Sequence, residues 1–264
     1  MISRFIRQGH INKYLIARRH IITMASSSSN ITTNPATPDI TDLLDFNRLN
    51  LNSQPVPVTQ SVDISGIDIN VAFETSPHKK WITRIKRADT VALDEFPHKA
   101  LFKHVADICL DNDTDTKGKK QRGTIIKFVP IITEAEFKKD TEWIYMFLIN
   151  GNIVKIGGTR TGLRDRTSSY LCGHHTAERG RSGKCSVTNA VIYNTFEFYL
   201  NAGCQITMWA QELPRIEIEV PFIDGQTIKV FAQTYHALES KWMATYRNLY
   251  KKNPVLSLNC DPNY

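Results

Sequence analysis

Apolar and polar positions are most clearly patterned in the stretch WIYMFLINGNIVKIGG, which begins at residue 143. Two apolar runs, residues 143–149 and 153–156, flank the dipeptide Asn150-Gly151. Asn-Gly favours the tight turn of a β-hairpin because both residues tolerate a positive φ. The pattern therefore predicts an antiparallel hairpin, and the two glycines after it allow the backbone to turn tightly.

Helices and strands are predicted on both sides of this hairpin. Downstream, the patterns indicate helices over 161–173, 187–203 and 233–253, a strand over 204–213 and a second hairpin over 215–232. Upstream, they indicate a strand pair over 61–75, a helix over 93–110, a strand over 124–132 and a short helix over 133–140, with Thr133 as N-cap. The fold class predicted is α/β (α+β), a small and mostly antiparallel sheet flanked by helices, with an N-terminal extension and an inserted hairpin.

Composition divides the chain into three segments. Residues 1–54 form a basic leader and a Ser/Asn/Thr/Pro-rich linker that cannot bury much apolar surface. Residues 55–140 are predicted to be an extension of the core, and residues 141–264 the core itself. Within the extension, an acidic run from residue 111 is spaced like a calcium loop but lacks that loop's Gly and closing Glu, so calcium is disfavoured.

Net charge is a weak guide to the partner of this protein. The formal charge is +7, but residues 1–38 carry five basic and no acidic side chains, which leaves about +2 for the remainder. Residues 1–23 fit a mitochondrial transit peptide, and the alternative is that translation starts at Met24. The excess of positive charge therefore does not by itself indicate nucleic acid.

Cysteine usage and hydropathy point to an intracellular protein. The five cysteines are odd in number and follow no disulfide or metal spacing. No run of about 18 apolar residues that would predict a membrane span is present. We expect reduced thiols and a cytoplasmic or nucleoid location, with mitochondria as the alternative.

Several polar side chains are predicted to converge at the end of the first hairpin. Tyr145 and Lys155 lie on adjacent antiparallel strands and can share a face. The next helix places Arg166 and Tyr170 at positions i and i+4, on one side of the helix. Each residue alone is as well explained by packing or by the solvent-exposed surface. A phenol, an amine and a guanidinium in one cleft suit an anionic, phosphate-bearing substrate.

At these residues the sequence resembles the GIY-YIG nuclease superfamily. Tyr145 ends the letters WIY, which match the first motif except for its Gly. Lys155 begins the letters KIG, which match the second motif with Lys in place of Tyr, as in some restriction endonucleases of the superfamily. Arg166 matches the family arginine, and Tyr170 falls where many members have His or Tyr.

The resemblance continues near the C-terminus. Glu239, on the last predicted helix, matches the metal-binding glutamate of the family. Asn259 is a looser match to a family asparagine, because the tail here reads PVLSLN. Gly157 and Gly158 would be structural residues of the site.

The resemblance implies metal-dependent hydrolysis of phosphodiester bonds in double-stranded DNA, with Mg²⁺ or Mn²⁺. Glu239 would bind the metal and Arg166 would stabilise the phosphate. Tyr145 would activate water with help from Lys155, which would lower the pKa of the phenol. Tyr170 would hydrogen-bond the nucleophile or the phosphate.

A basic loop beside the predicted cleft suits contacts with the phosphate backbone. Its candidate DNA-binding residues are His174, His175, Arg179, Arg181 and Lys184. A zinc site is the alternative by residue type, although the spacing fits no standard zinc pattern. Its candidate ligands would be Cys172, His174, His175 and Cys185.

The extension carries a second group of basic residues that could grip DNA. They are Lys79, Lys80, Arg84, Lys86, Arg87, Lys119, Lys120 and Arg122. Scattered lysines are also the usual surface of any domain. The indole side chains of Trp209 and Trp242 are predicted to lie in the core.

The preferred function is that of a sequence-specific type II restriction enzyme. A homing-type or repair nuclease, or a catalytically inactive DNA-binding module, is the alternative. A homodimer is expected by analogy with enzymes that cut both strands. The stretch GGTRTGLR lacks the Lys-Ser/Thr of a phosphate-binding loop, so we expect no nucleotide cofactor.

Overall fold

A computed structural model describes residues 62–114, 125–174 and 185–257. The strands are β1 (Val91–Ala92), β2 (Lys103–Leu110), β3 (Ile126–Pro130), β4 (Trp143–Ile149), β5 (Asn152–Thr159), β6 (Ile206–Glu212), β7 (Glu217–Pro221) and β8 (Thr227–Phe231). The α-helices are α1 (Asn70–Thr75), α2 (Glu134–Phe137), α3 (Gly162–Leu171), α4 (Val187–Asn201) and α5 (Tyr235–Tyr250). The predicted leader and linker lie outside the described residues.

Six strands form one sheet in the order β1-β5-β4-β6-β2-β3, and every neighbouring pair is antiparallel. Strands β7 and β8 form a separate two-stranded sheet, the predicted inserted hairpin. Helices flank the larger sheet, so the predicted fold class is confirmed. Strands β1, β2 and β3 come from the predicted extension and lie in the same sheet as those of the predicted core.

Strand β4 is the most deeply buried element of the sheet. All seven of its residues are buried, because β5 and β6 pair with it on either side and helices cover both faces. The turn to β5 has the predicted form, with positive φ at Asn150 (47°) and Gly151 (75°). In this hairpin Tyr145 lies opposite Gly157, and Phe147 lies opposite Lys155.

Alternate residues of β4 face different helices. Tyr145 and Phe147 face α3 and α4, where Phe147 lies at the centre of an aromatic cluster. Its ring centroid is 5.0 Å from that of Phe196, 5.4 Å from Tyr170 and 5.3 Å from Tyr145. The opposite face packs against α5. Trp242 of that helix is buried among aromatic rings, as predicted.

Two predicted elements upstream of β3 are wrong. The helix predicted over 93–110 is instead a pair of 3-10 turns followed by β2. Pairing with β3 on one side and β6 on the other gives this segment a full set of backbone hydrogen bonds, which overrides the helical spacing of Val105 and Ile108. The strand pair predicted over 61–75 contains only one bridged residue within 62–75, Asp63, and ends in α1.

Most of the remaining local signals are confirmed. Thr133 caps α2 by accepting a hydrogen bond from the backbone N–H of Glu136 at 3.2 Å.

Trp209 is only half-buried and stacks on His104, so the prediction that its indole lies in the core was wrong in part. None of the helices within the described ranges is long and apolar enough to cross a membrane.

Replacing Phe147 tests how far the fold depends on the aromatic cluster. Phe147→Ala should lower the free energy of unfolding by about 3–5 kcal/mol, because it leaves a cavity between β4 and two helices. Chemical denaturation would measure this change. The control is Phe222→Ala on the inserted hairpin, where the side chain is exposed and the change should stay within about 0.5 kcal/mol. Equal losses in the two variants would contradict this role of the cluster.

Candidate active site

An arginine held by two buried tyrosines forms the centre of the site. Strand β4 supplies Tyr145, and α3 supplies Arg166 and Tyr170 one turn apart. The Nε of Arg166 donates to the Tyr145 hydroxyl at 2.8 Å, and its Nη2 donates to the Tyr170 hydroxyl at 2.9 Å. The two hydroxyls are also hydrogen-bonded to each other, at 2.6 Å. The three side chains therefore form a closed triangle, which we call the Arg-Tyr-Tyr triangle.

Gly157 makes room for this triangle. It lies opposite Tyr145 in the β4–β5 pair. A Cβ atom at this position would lie 2.5 Å from the Tyr145 hydroxyl and 2.6 Å from the adjoining ring carbon. The requirement for glycine here is therefore one of space, set by the phenol packed over the strand.

Burial raises the pKa of both phenols above a value at which they are already neutral at physiological pH. It raises the pKa of Tyr145, and the positive charge of Arg166 offsets only part of this effect. Burial also raises the pKa of Tyr170 well above its ordinary value, with a further contribution from Tyr145. The pKa of Tyr145 is therefore raised overall, whereas the sequence led to the expectation that Lys155 would lower it. For Arg166, burial lowers the pKa, but the two phenol oxygens outweigh it and raise the pKa overall.

Arg166 reaches from the triangle into a cavity of about 840 Å³. Strand β5 contributes Lys155 to its wall, and α5 contributes Glu239 and Arg247. The described lining residues thus include one lysine, two arginines and one carboxylate. Tyr145 and Tyr170 lie behind Arg166 and expose none of their surface.

Glu239 approaches the site from the opposite face of the sheet. A Cβ atom at Gly158 would lie 2.9 Å from Glu239 Oε2 and 2.9 Å from a ring carbon of Tyr235. Successive residues of a strand point to opposite faces. Gly157 therefore faces the Arg-Tyr-Tyr triangle, whereas Gly158 faces α5, and the cavity receives side chains from both layers.

The side chains of the cavity fit a magnesium ion whose coordination would be completed by a substrate. Mg²⁺ is commonly bound by one or two carboxylates together with substrate phosphates and water. Glu239 supplies one such carboxylate. Within 62–114, 125–174 and 185–257, no group of three or more His, Cys, Asp or Glu side chains converges.

The structure thus brings together Tyr145, Lys155, Arg166, Tyr170 and Glu239, which the sequence had singled out, and it adds residues that the sequence did not suggest. Helix α5 presents Tyr235, Met243 and Arg247 to the cavity at intervals of four residues from Glu239, a spacing that helical periodicity could have revealed. Asn253 Oδ1 accepts a hydrogen bond from Arg247 Nε at 3.0 Å.

The predicted basic loop is only marginally described. His174 is half-buried, with its Nδ1 2.8 Å from the Leu171 carbonyl oxygen, and is not among the described residues that line the cavity. Other predicted residues lie outside the described ranges. They are His175, Arg179, Arg181, Lys184, Asn259 and, in the extension, Lys119, Lys120 and Arg122.

No family model and no curated protein sequence matches this chain, so its membership of the GIY-YIG superfamily stays a prediction. Among solved structures, the chain is similar to the restriction endonuclease HPY188I in complex with product DNA, with 20% identity and a TM-score of 0.41 over 65% of this chain and 88% of that one. It is also similar to a mutant of bacteriophage T4 EndoII, with 20% identity and a TM-score of 0.37 over 61% of this chain and 97% of that one. Both likenesses are distant.

Alkaline titration tests the raised pKa of Tyr145. Because the folded pKa exceeds the unfolded one, the neutral phenol contributes stability below about pH 10, and this contribution is lost as the pH rises further. The ultraviolet absorbance of tyrosinate would follow the ionisation. Tyr145→Phe should remove less than one full tyrosine from the folded protein's titration near pH 10, since burial raises the pKa of Tyr145 above its ordinary value.

The same variant provides its own control in concentrated guanidinium chloride. All nine tyrosines of the unfolded chain should titrate near pH 10, and Tyr145→Phe should remove one of them. If the substitution removed one tyrosinate from the folded protein at pH 10, the phenol would not be buried as described.

Proposed function

We propose that this protein is a metal-dependent endonuclease that hydrolyses phosphodiester bonds in double-stranded DNA. The observation that carries the proposal is the position of Arg166. The Arg-Tyr-Tyr triangle fixes its guanidinium at the wall of a cavity that also contains Lys155 and Glu239. A fixed guanidinium, an ammonium group and one carboxylate form a suitable environment for a phosphodiester and a divalent cation.

Arg166 would bind the reacting phosphate. A guanidinium has five N–H donors, and the two hydrogen bonds to phenols use only Nε and one hydrogen of Nη2. The remaining donors can serve phosphate oxygens. Because Arg166 is already held in place, little reorganisation would be needed as negative charge builds up on the phosphate during attack.

Glu239 would hold the metal ion, either Mg²⁺ or Mn²⁺. When bound, such an ion would neutralise charge on the phosphate and favour attack by water. Lys155 lies on the β5 side of the same cavity and would share the charge of the phosphate. Gly158 allows the Glu239 carboxylate to come close to the strand.

Tyr145 and Tyr170 would act as positioning residues for Arg166. Both hydroxyls are occupied within the triangle, both rings are fully buried, and burial raises the pKa of both. A neutral, enclosed phenol is a poor base for removing a proton from water. The groups beside the attacking water would be the cavity-facing Lys155 and Glu239.

The substrate would be a polymer, because the charged side chains of α5 extend along the cavity. Glu239 and Arg247 are eight residues apart on α5, about 12 Å along the helix axis. That distance corresponds to about three to four nucleotides of axial rise along one DNA strand. A restriction-type specificity and a homodimer belong to this proposal, together with backbone contacts by the basic residues of the loop and extension.

Replacing Glu239 tests the metal-dependent reaction. Glu239→Gln should reduce Mg²⁺-dependent cleavage of plasmid and phage DNA about 100-fold or more, because the carboxylate that holds the cation is lost. Gel electrophoresis of digests with Mg²⁺ and with EDTA would measure this loss. Glu219→Gln, on the exposed inserted hairpin, is the matched control and should cleave like the wild type.

Two results would argue against catalysis. Cleavage that persists in Glu239→Gln would place the metal elsewhere. If the wild type binds several unmodified DNAs in a salt-sensitive way but cuts none of them, the protein would be a DNA-binding module with the same architecture.

Replacing Arg247 tests whether the protein contacts DNA phosphates along α5 beyond Glu239. In EDTA, where binding is separated from cleavage, Arg247→Ala should weaken DNA binding and reduce the slope of log K against log[salt] by about 1, because one phosphate contact is lost. Fluorescence anisotropy at several salt concentrations would measure the slope. Lys241→Ala, on the exposed side of α5, is the control. An equal change in the slope for this variant would argue against a specific phosphate contact by Arg247.

A further inference from the structure

Two cysteine thiols meet at the junction of α3 and α4. The Sγ atoms of Cys172 and Cys185 lie 2.9 Å apart. Cys172 follows the last residue of α3 as its C-cap, and Cys185 immediately precedes Ser186, the N-cap of α4. The two thiols are thirteen residues apart in sequence but adjacent in the fold.

We propose that Cys172 and Cys185 are a site of oxidative modification, which closes to a disulfide in the presence of a disulfide oxidant such as glutathione disulfide. A disulfide bond is about 2.05 Å long, so the two sulfurs need to approach by only about 0.9 Å. Neither of the other two described cysteines has this arrangement. Cys109 lies on β2, and Cys204 lies just before β6.

The reaction proceeds by two thiol–disulfide exchanges. Cys172 is the more exposed of the two and, as a thiolate, attacks one sulfur of glutathione disulfide, releasing one glutathione thiolate. Cys185 is buried, and its thiolate then attacks the Cys172 sulfur of the mixed disulfide and releases the second glutathione. Two electrons pass from the cysteine pair to the oxidant, and the two thiol protons end on two glutathione molecules.

A zinc site would be the other explanation for this pair. Zinc in proteins takes three or four nitrogen or sulfur ligands. Across the described residues, no third His, Cys, Asp or Glu joins Cys172 and Cys185. The sulfurs are also packed against backbone oxygens, with Cys172 Sγ 2.8 Å from the Ser169 carbonyl and Cys185 Sγ 3.4 Å from that of Ser186.

The bond would join two elements that line the candidate active site. Cys172 lies two residues after Tyr170, a member of the Arg-Tyr-Tyr triangle. Ser186 and Asn189, just after Cys185, line the cavity. The Ser169 carbonyl already accepts a hydrogen bond from Asn189 Nδ2 at 2.9 Å, so the disulfide would reinforce an existing contact between α3 and α4.

The test uses the full chain, reduced and then incubated in its folded state with glutathione disulfide. Alkylation of remaining thiols and peptide mapping by mass spectrometry should show one linked pair, Cys172–Cys185. Oxidation should raise Tm by roughly 5–10 °C, because a closed loop of this length restricts the unfolded chain, and dithiothreitol should reverse the shift.

Matched variants separate this pair from general thiol chemistry. Cys172→Ser and Cys185→Ser should each abolish the linked peptide and the shift in Tm, whereas Cys109→Ser should leave both unchanged. In guanidinium chloride the wild-type chain should instead give a mixture of pairings.

Three results would overturn the proposal. They are a mixture of pairings from the folded protein, glutathione that stays attached to Cys172 without transfer to Cys185, and stoichiometric zinc that is lost in both serine variants. None of these readouts depends on DNA cleavage. Failure of the nuclease proposal would therefore leave the disulfide proposal intact, and failure of the disulfide proposal would leave the nuclease proposal intact.

Discussion

The organisation of the site depends on how a guanidinium is held at the edge of a hydrophobic core. Removing a charged group from water is costly unless it is fully hydrogen-bonded. Arg166 meets part of this condition through two phenols that are hydrogen-bonded to each other, and its remaining N–H donors are available at the cavity. Because each hydroxyl has its partners inside the triangle, no member can rotate away without leaving another buried polar group unpaired.

This constraint reaches into the core through the aromatic rings. Tyr145 and Tyr170 pack against Phe147, and Phe147 packs against Phe196 of α4. The same side chains that stabilise the sheet therefore fix the direction in which Arg166 points. A substitution in this cluster would alter both stability and the position of the guanidinium, so the two effects have to be measured separately.

Local signals predicted the parts of the fold that local interactions decide. The Asn150-Gly151 turn, the Thr133 cap and the helices α3 to α5 depend on short-range geometry, and they were predicted correctly. Strand β2 was not predicted, because its conformation is decided by pairing with β3 and β6, which are distant in sequence. The principal site residues could be chosen from motif spacing. Arg247 and its partner Asn253 carry no motif, and the burial that raises the pKa of Tyr145 is a tertiary effect.

The adjacent glycines of β5 explain how one cavity can receive residues from both layers of the protein. A strand separates its two faces, so groups on α3 and α5 would ordinarily be kept apart by the side chains between them. Gly157 admits the hydroxyl of Tyr145 on one face, and Gly158 admits the carboxylate of Glu239 on the other. A side chain at the first position would displace the phenol that holds Arg166, while one at the second would displace the carboxylate. Each half of the site therefore depends on one of two adjacent glycines in the same strand.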